Sequence, residues 1–236
     1  MTRRDELASG LKATRERIDE ACRAAGREPG EVQLLPVTKF FPASDAALLA
    51  ELGCTDVGEN REQEAARKAA ELPQLRWHML GHIQRNKAKS VARWATLVHS
   101  CDSARLATAL DRSAIAARDA GERDGRLPVL VQVSLDGDPD RGGVPVGDFD
   151  ALVAQVADAD GLELTGVMGV PPLAWEPERA FADLAEKWRG IRTQYPGATM
   201  LSAGMSGDLE LAVRFGSTCV RVGTAILGAR PVISQP

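Results

Sequence analysis

Residues 32–39 read VQLLPVTK, an apolar run with almost no polar alternation that closes on a lysine. A strand that offers water neither face is a strand covered on both, the pattern of a parallel sheet in an α/β protein. Working outward, the same kind of run recurs as TDVGEN ending at Asn60, LRWHMLG ending at Gly81 and TLVHSCD ending at Asp102. It returns as PVLVQVS ending at Ser134, LELTGVMG ending at Gly169, TMLSAG ending at Gly204 and CVRVG ending at Gly223. Helical patterns separate most neighbours, and an amphipathic stripe of Leu7, Leu11, Ile18, Cys22 and Ala25 precedes them all. Eight β-then-α units in 236 residues suit a (β/α)8 TIM barrel, typically about 250 residues long, with an extra N-terminal helix. A doubly wound open sheet is the main rival. No Gly/Ser linker, low-complexity tract or charge block marks a boundary, so a single domain over 1–236 is predicted. DGDPDRGGVPVGD, residues 136–148, is dense in turn formers and reads as a long loop after strand five. A solvated excursion and a lid at the barrel mouth are its two readings.

Bulk properties exclude several classes. The chain is 44% hydrophobic and 26% charged, an ordinary globular composition. Its start, MTRRDELASGLKATRERIDEA, lacks an apolar stretch with a cleavage site, and nowhere do 18 apolar residues run together. A soluble, unexported, cytoplasmic protein without a membrane partner is expected. A net charge of −4 and ten aromatic residues give neither the footprint nor the stacking platforms for nucleic acid. Cys22, Cys54, Cys101 and Cys219 lie far apart without a C-x-x-C pair, so reduced thiols are the default rather than zinc or disulfides.

In a barrel of this kind the strand C-termini converge on one face, where binding and catalytic groups sit. Lys39 ends a buried strand, where an ammonium is costly to desolvate. Two readings stand side by side. The head snorkels to solvent, or desolvation favours the neutral amine that imine formation with an aldehyde requires. The tail LSAGMSGDLELAVRFGSTCVRVGTAILG, residues 201–228, packs glycines and hydroxyls around the last two strand ends. Ser206-Gly207-Asp208 should open a helix that runs through Leu209 and Val213 and stops at Gly216, and Gly223-Thr224 should open another turn. Free amides at such places attract phosphate, and barrels often hold one after strands seven and eight. Arg221 adds a cation aimed at the mouth; ordinary turns and caps would explain either segment alone. His78 and His82 are four apart, but a strand and a turn with Gly81 intervene and no carboxylate is near, which disfavours a metal. Gly204-Met205-Ser206-Gly207 misses G-x-S-x-G by one position, and no triad can be assigned.

Six stretches carry a specific resemblance: VTKFFPASD at 37–45, DVGENREQEAARK at 56–68, WHMLGHIQRNKAKSV at 77–91, LVHSCDSARLATAL at 97–110, LSAGMSGDLELAV at 201–213 and GSTCVRVGTAILGAR at 216–230. With these, the chain resembles the pyridoxal phosphate homeostasis protein family, also called proline synthase co-transcribed proteins, over nearly its whole length. The resemblance implies a barrel like the N-terminal domain of alanine racemase, with Lys39 as the Schiff-base lysine for pyridoxal 5′-phosphate (PLP) and Asn60 and His82 near the cofactor. It implies phosphate contacts from Ser206, Gly207, Gly223 and Thr224, and Arg221 facing the pyridine nitrogen. Two positions depart from the family pattern: the run Ser202-Ala203-Gly204-Met205-Ser206, and Ile226-Leu227 where aromatic residues are common. Neither departure removes a polar ligand.

The function this implies is intracellular vitamin B6 homeostasis as a carrier or buffer, without established catalysis, and with apo PLP-dependent enzymes as recipients. A PLP-dependent amino-acid racemase is the alternative, and a phosphate-binding barrel enzyme without cofactor is a third. Racemases of this fold take their second base from a tyrosine on a C-terminal domain, whereas this sequence ends at Pro236 straight after the barrel. Its one tyrosine, Tyr195, precedes strand seven and belongs at the opposite end. An arginine against the pyridine nitrogen also makes the ring a weaker electron sink than a carboxylate would. No replacement for the racemase dimer interface is evident, so a monomer is expected.

Overall fold

A computed structural model of the chain describes residues 1–138, 141–172 and 174–229. Helix α1 (Arg3–Ala24) starts at Thr2, whose hydroxyl accepts from the Asp5 amide while the Asp5 carboxylate accepts from the Thr2 amide. This reciprocal cap satisfies two otherwise orphaned donors. Its stripe of Leu7, Leu11 and Ile18 is buried, worth about 1.5–3 kcal/mol for each side chain. That stripe packs α1 onto α8 (Leu209–Arg214) and α9 (Thr224–Leu227). Gly10 makes the close crossing feasible: a Cβ there would sit 2.9 Å from the carbonyl oxygens of Ala225 and Ile226.

Strands β1 (Gln33–Pro36), β2 (Asp56–Glu59), β3 (Arg76–Met79), β4 (Ala95–Cys101), β5 (Leu127–Ser134), β6 (Val144–Pro145), β7 (Leu162–Gly169), β8 (Met200–Ser202) and β9 (Cys219–Val222) are all parallel. Apart from β6 they follow the order β1-β9-β8-β7-β5-β4-β3-β2. A bridge between Val37 and Gly58, with the Thr38 amide donating to the Gly58 carbonyl at 2.9 Å, joins the two ends. The ring is therefore a nearly closed eight-stranded barrel, and the open-sheet alternative falls. Between the strands lie α2 (Ala43–Glu51), α3 (Glu62–Glu71), α4 (Ala88–Trp94), α5 (Ala104–Asp119), α6 (Phe149–Ala157) and α7 (Pro177–Gln194). Two large apolar clusters divide the shell: one around β4, β5 and β7, the other beneath α1.

Several boundaries move. The ladder of β1 ends before Lys39, because Phe40 adopts a left-handed φ of 71° and turns the chain away. Such a conformation is rare for a bulky side chain. The helix expected to stop at Gly216 does so: α8 ends at Arg214, and Gly216, at φ 98°, turns the chain out of it. The segment at 136–148 is less irregular than expected. Val144 is buried and β6 pairs with β5, while Gly143, at φ 102°, lies so close to Val133 and Ser134 that a Cβ would meet their backbone at 2.6 Å. Residues 139 and 140 of that loop, and the tail from 230, lie outside the described residues. Among the described residues no helix is long and apolar enough to cross a membrane.

Candidate functional site

Seven of the eight residues singled out from the sequence line one cleft of about 380 Å³ at the C-terminal ends of the strands. They are Lys39, Asn60, Ser206, Gly207, Arg221, Gly223 and Thr224, with Val37, Leu80, Met168, Val170 and Met205 as the apolar wall. A larger groove, about 780 Å³, runs between α6 and α7. It gathers none of the seven.

Lys39 is half-buried and has neither a hydrogen bond nor an ion pair among the described residues; its Nζ stands 5.9 Å from the Phe40 ring centroid. Across the cleft, the backbone N–H groups of Ser206, Gly207, Gly223 and Thr224 have no acceptor among the described residues. The turn that presents the first two is held by Asp208, whose Oδ1 accepts from the Met205 amide at 2.6 Å. It is also held by Arg17 of α1, which donates to the Ser206 carbonyl at 3.1 Å and pairs with Glu210. A Cβ on Gly207 would meet nothing within 4 Å, so the backbone there borders open space. Free amides around a pocket beside a cation form an anion cradle. Asn60 follows β2, and Gly81 lets the neighbouring turn approach it: a Cβ on Gly81 would sit 2.0 Å from the Asn60 carbonyl oxygen.

Arg221 is buried, and burial pushes its guanidinium down from the ordinary arginine range. Nη1 donates to Ser202 Oγ at 2.8 Å and Nη2 to the Gly169 carbonyl at 3.1 Å. Behind Lys39 sits a second lysine that the sequence reading passed over. Lys68 Nζ, fully buried, reaches Glu59 Oε1 at 2.6 Å, Glu64 Oε1 at 2.8 Å and the Thr38 carbonyl at 3.1 Å. Thr38 Oγ1 donates to the same Glu59 oxygen at 2.6 Å. Burial pushes the Glu59 carboxyl up despite the pull of Lys68, and its Oε2 has no partner among the described residues. The available signals were a glutamate inside the apolar run TDVGEN and a lysine on the inward face of α3.

His82, the eighth residue, is outside the cleft lining. It is exposed, and its Nδ1 lies 3.1 Å from Asp102 Oδ2. His78 instead points into the barrel, with Nε2 2.9 Å from Asp56 Oδ1. Tyr195 follows α7 and precedes β8, at the strand-start end away from the cleft. No cluster of three or more potential metal ligands occurs among the described residues.

Comparison with known proteins places the chain in a family. The family model described as the alanine racemase N-terminal domain matches residues 10–231. The pyridoxal phosphate homeostasis protein of Mycobacterium bovis is 55% identical, the match covering 97% of this chain and 94% of that one. Its Escherichia coli counterpart is 35% identical over 96% of this chain and 97% of that one. Among solved structures, PipY of Synechococcus elongatus with PLP bound superposes with a TM-score of 0.80 at 34% identity, covering 94% of this chain and all of that one. Alanine racemase of Corynebacterium glutamicum, at 16% identity and a TM-score of 0.71 over 98% of this chain and 63% of that one, shares the fold. Matched at these identities over nearly its whole length, the chain belongs to the pyridoxal phosphate homeostasis protein family.

Proposed function

We propose that this protein binds PLP as a Schiff base on Lys39 and serves vitamin B6 homeostasis as a monomeric carrier or buffer that hands the aldehyde on to apo-enzymes. The observation that carries this reading is a half-buried amine facing four backbone N–H groups across a single cleft, none of the five with a hydrogen-bond partner among the described residues. PLP supplies an aldehyde, which an amine captures as an imine with loss of one water, and a phosphate. The cleft volume, the amine, the anion cradle and the apolar wall of Val37, Leu80 and Met168 fit that pairing. In this reading Ser206, Gly207, Gly223 and Thr224 hold the phosphate, Arg221 faces the ring nitrogen and Asn60 flanks the ring. His82, exposed on its Asp102 partner, stands at the rim of the mouth.

Two-base racemisation is less well supported. Besides Lys39 and Arg221, the described lining consists of apolar, amide, hydroxyl and glycine residues, with no second group suited to exchanging a proton with substrate near neutral pH. The test is to load the protein, remove free cofactor, and add an apo PLP enzyme and, separately, L-alanine. Regain of activity in the apo-enzyme supports the carrier. Substantial racemisation, abolished by Lys39→Ala, would replace this reading with the enzyme.

A further inference from the structure

A chain of buried polar groups crosses the barrel behind the cleft, and nothing in the cofactor reading uses it. Ser202 Oγ, the acceptor for Arg221 Nη1, lies 2.9 Å from His99 Nδ1. His99 Nε2 is 3.0 Å from His78 Nδ1, and His78 Nε2 is 2.9 Å from Asp56 Oδ1. His99 is on β4 and Ser202 on β8, with β5 and β7 between them in the ring, so this bond spans the lumen. Asp56 opens β2 while Asn60, just past its end, lines the cleft. At about 3.3 Å per residue the chain therefore runs roughly 13 Å down the barrel, to a carboxylate that also meets the exposed Arg76.

The two ends fix its direction. A guanidinium can only donate and an ionised carboxylate only accept. With one proton on each imidazole, Arg221 donates to Ser202, Ser202 to His99 Nδ1, His99 Nε2–H to His78 Nδ1, and His78 Nε2–H to Asp56. The opposite direction would set an imidazole lone pair against the Asp56 carboxylate unless the chain took up another proton. Aligned bonds of this kind polarise one another. They also answer a problem of burial. Arg221 is buried and donates to neutral partners; Asp208 adds a more distant negative charge, and a buried cation gains from further negative potential along the chain. Two of its five N–H groups are engaged, leaving the others on a side chain that lines the cleft.

We infer that His78, His99 and Ser202 are positioning residues: with Asp56 they form a one-directional hydrogen-bond chain that fixes the Arg221 guanidinium against the cleft and sets how strongly it holds a ligand acceptor there. The inference rests on the cofactor reading only for its second readout.

The first readout needs no ligand. The sequence has three histidines, so nitrogen-15 labelling of histidine in the full chain, assigned with single-histidine variants, reports each ring's tautomer by NMR near neutral pH. His78 and His99 are expected to carry their proton on Nε2 alone; a proton on Nδ1 of either ring overturns the chain. The second readout is PLP affinity and the imine absorption band. Ser202→Ala and His99→Met are expected to weaken PLP binding by roughly tenfold or more and to shift the band. His99→Gln, whose carbonyl can accept from Ser202 and whose amide can donate to His78, is expected to recover most of the affinity. Ser202→Ala removes the link with little change in volume and covers a His99→Met chain that fails to fold. Affinity and band unchanged in a folded Ser202→Ala protein would overturn the positioning role. A wild-type protein that gives no imine band contradicts the cofactor reading instead, and the tautomers still decide the chain.

Discussion

Replacing Lys68 by methionine should be among the most damaging single changes outside the cleft. Lys68 and Glu59 are fully buried, with Nζ 2.6 Å from Oε1. Methionine has nearly the same reach but no charge, so the volume is kept while the Glu59 carboxylate is left, among the described residues, with Thr38 Oγ1 alone. Removing one partner of a buried pair costs about 3–5 kcal/mol. For a chain of this size each kcal/mol moves the melting temperature by about 2–4 °C, which gives a fall of roughly 6–20 °C. The sign of the pH effect follows from Glu59. Its folded carboxyl is already held above the ordinary 4.5 by burial, and losing Lys68 can only raise it further. A raised carboxyl pKa contributes stability that is present below the unfolded value and lost as pH rises through the folded one. The deficit of Lys68→Met against wild type should therefore narrow on acidification. Urea unfolding of both proteins at pH 8 and pH 5.5 measures it. A loss under about 1 kcal/mol, or a deficit that does not change with pH, would refute the claim that Lys68 stabilises the buried Glu59 carboxylate.

Other expectations follow from the same contacts. Gly81→Ala should cost on the order of 2 kcal/mol or more, since its Cβ would lie 2.0 Å from the Asn60 carbonyl oxygen; calorimetry and PLP titration should show lower stability and weaker binding together. Arg17→Ala removes a bond to the Ser206 carbonyl and should weaken PLP and inorganic phosphate binding several-fold, while stability moves by less than about 1 kcal/mol because the Glu210 pair is surface-exposed. His99, held far below the usual 6.5 first by burial, then by His78 and Arg221, stays neutral while the unfolded chain takes up a proton. Stability should thus decline as pH falls below 6.5, by up to about 1.4 kcal/mol per pH unit, and this slope should flatten in His99→Gln. At the alkaline end, burial pushes Cys101 and Cys219 up from 9.0 to about 12. The unfolded thiols ionise first, so denaturant titrations should show stability falling above pH 9.

Much of this was legible in the sequence because apolar strands end on residues of a different character. Lys39, Asn60 and Gly223 stand out against the runs they close, Arg221 stands out inside its own, and the cleft gathers all four. Less legible was anything that depends on which strands face each other across the lumen. His78 drew attention for its spacing from His82, yet the two point to different places: one to Asp56 inside the barrel, the other to Asp102 at the rim. His99 carries no local mark at all, since its partners come from β3 and β8. The Lys68–Glu59 pair eluded periodicity for a related reason: a lysine on a helix reads as solvated unless its carboxylate partner is known to be buried beside it. Strand ends were placed too late at β1 because the sharp left-handed turn falls on a phenylalanine, Phe40, rather than on the glycine that usually signals one.

The most direct test of the central claim is reductive trapping. The purified full-length protein is mixed with PLP, reduced with borohydride, digested and mapped by mass spectrometry, alongside Lys39→Ala. The account predicts an imine absorption band before reduction and one cofactor-sized adduct on Lys39, both absent from the variant. An unmodified Lys39 in the wild-type protein, or an adduct whose yield is unchanged in Lys39→Ala, would contradict it.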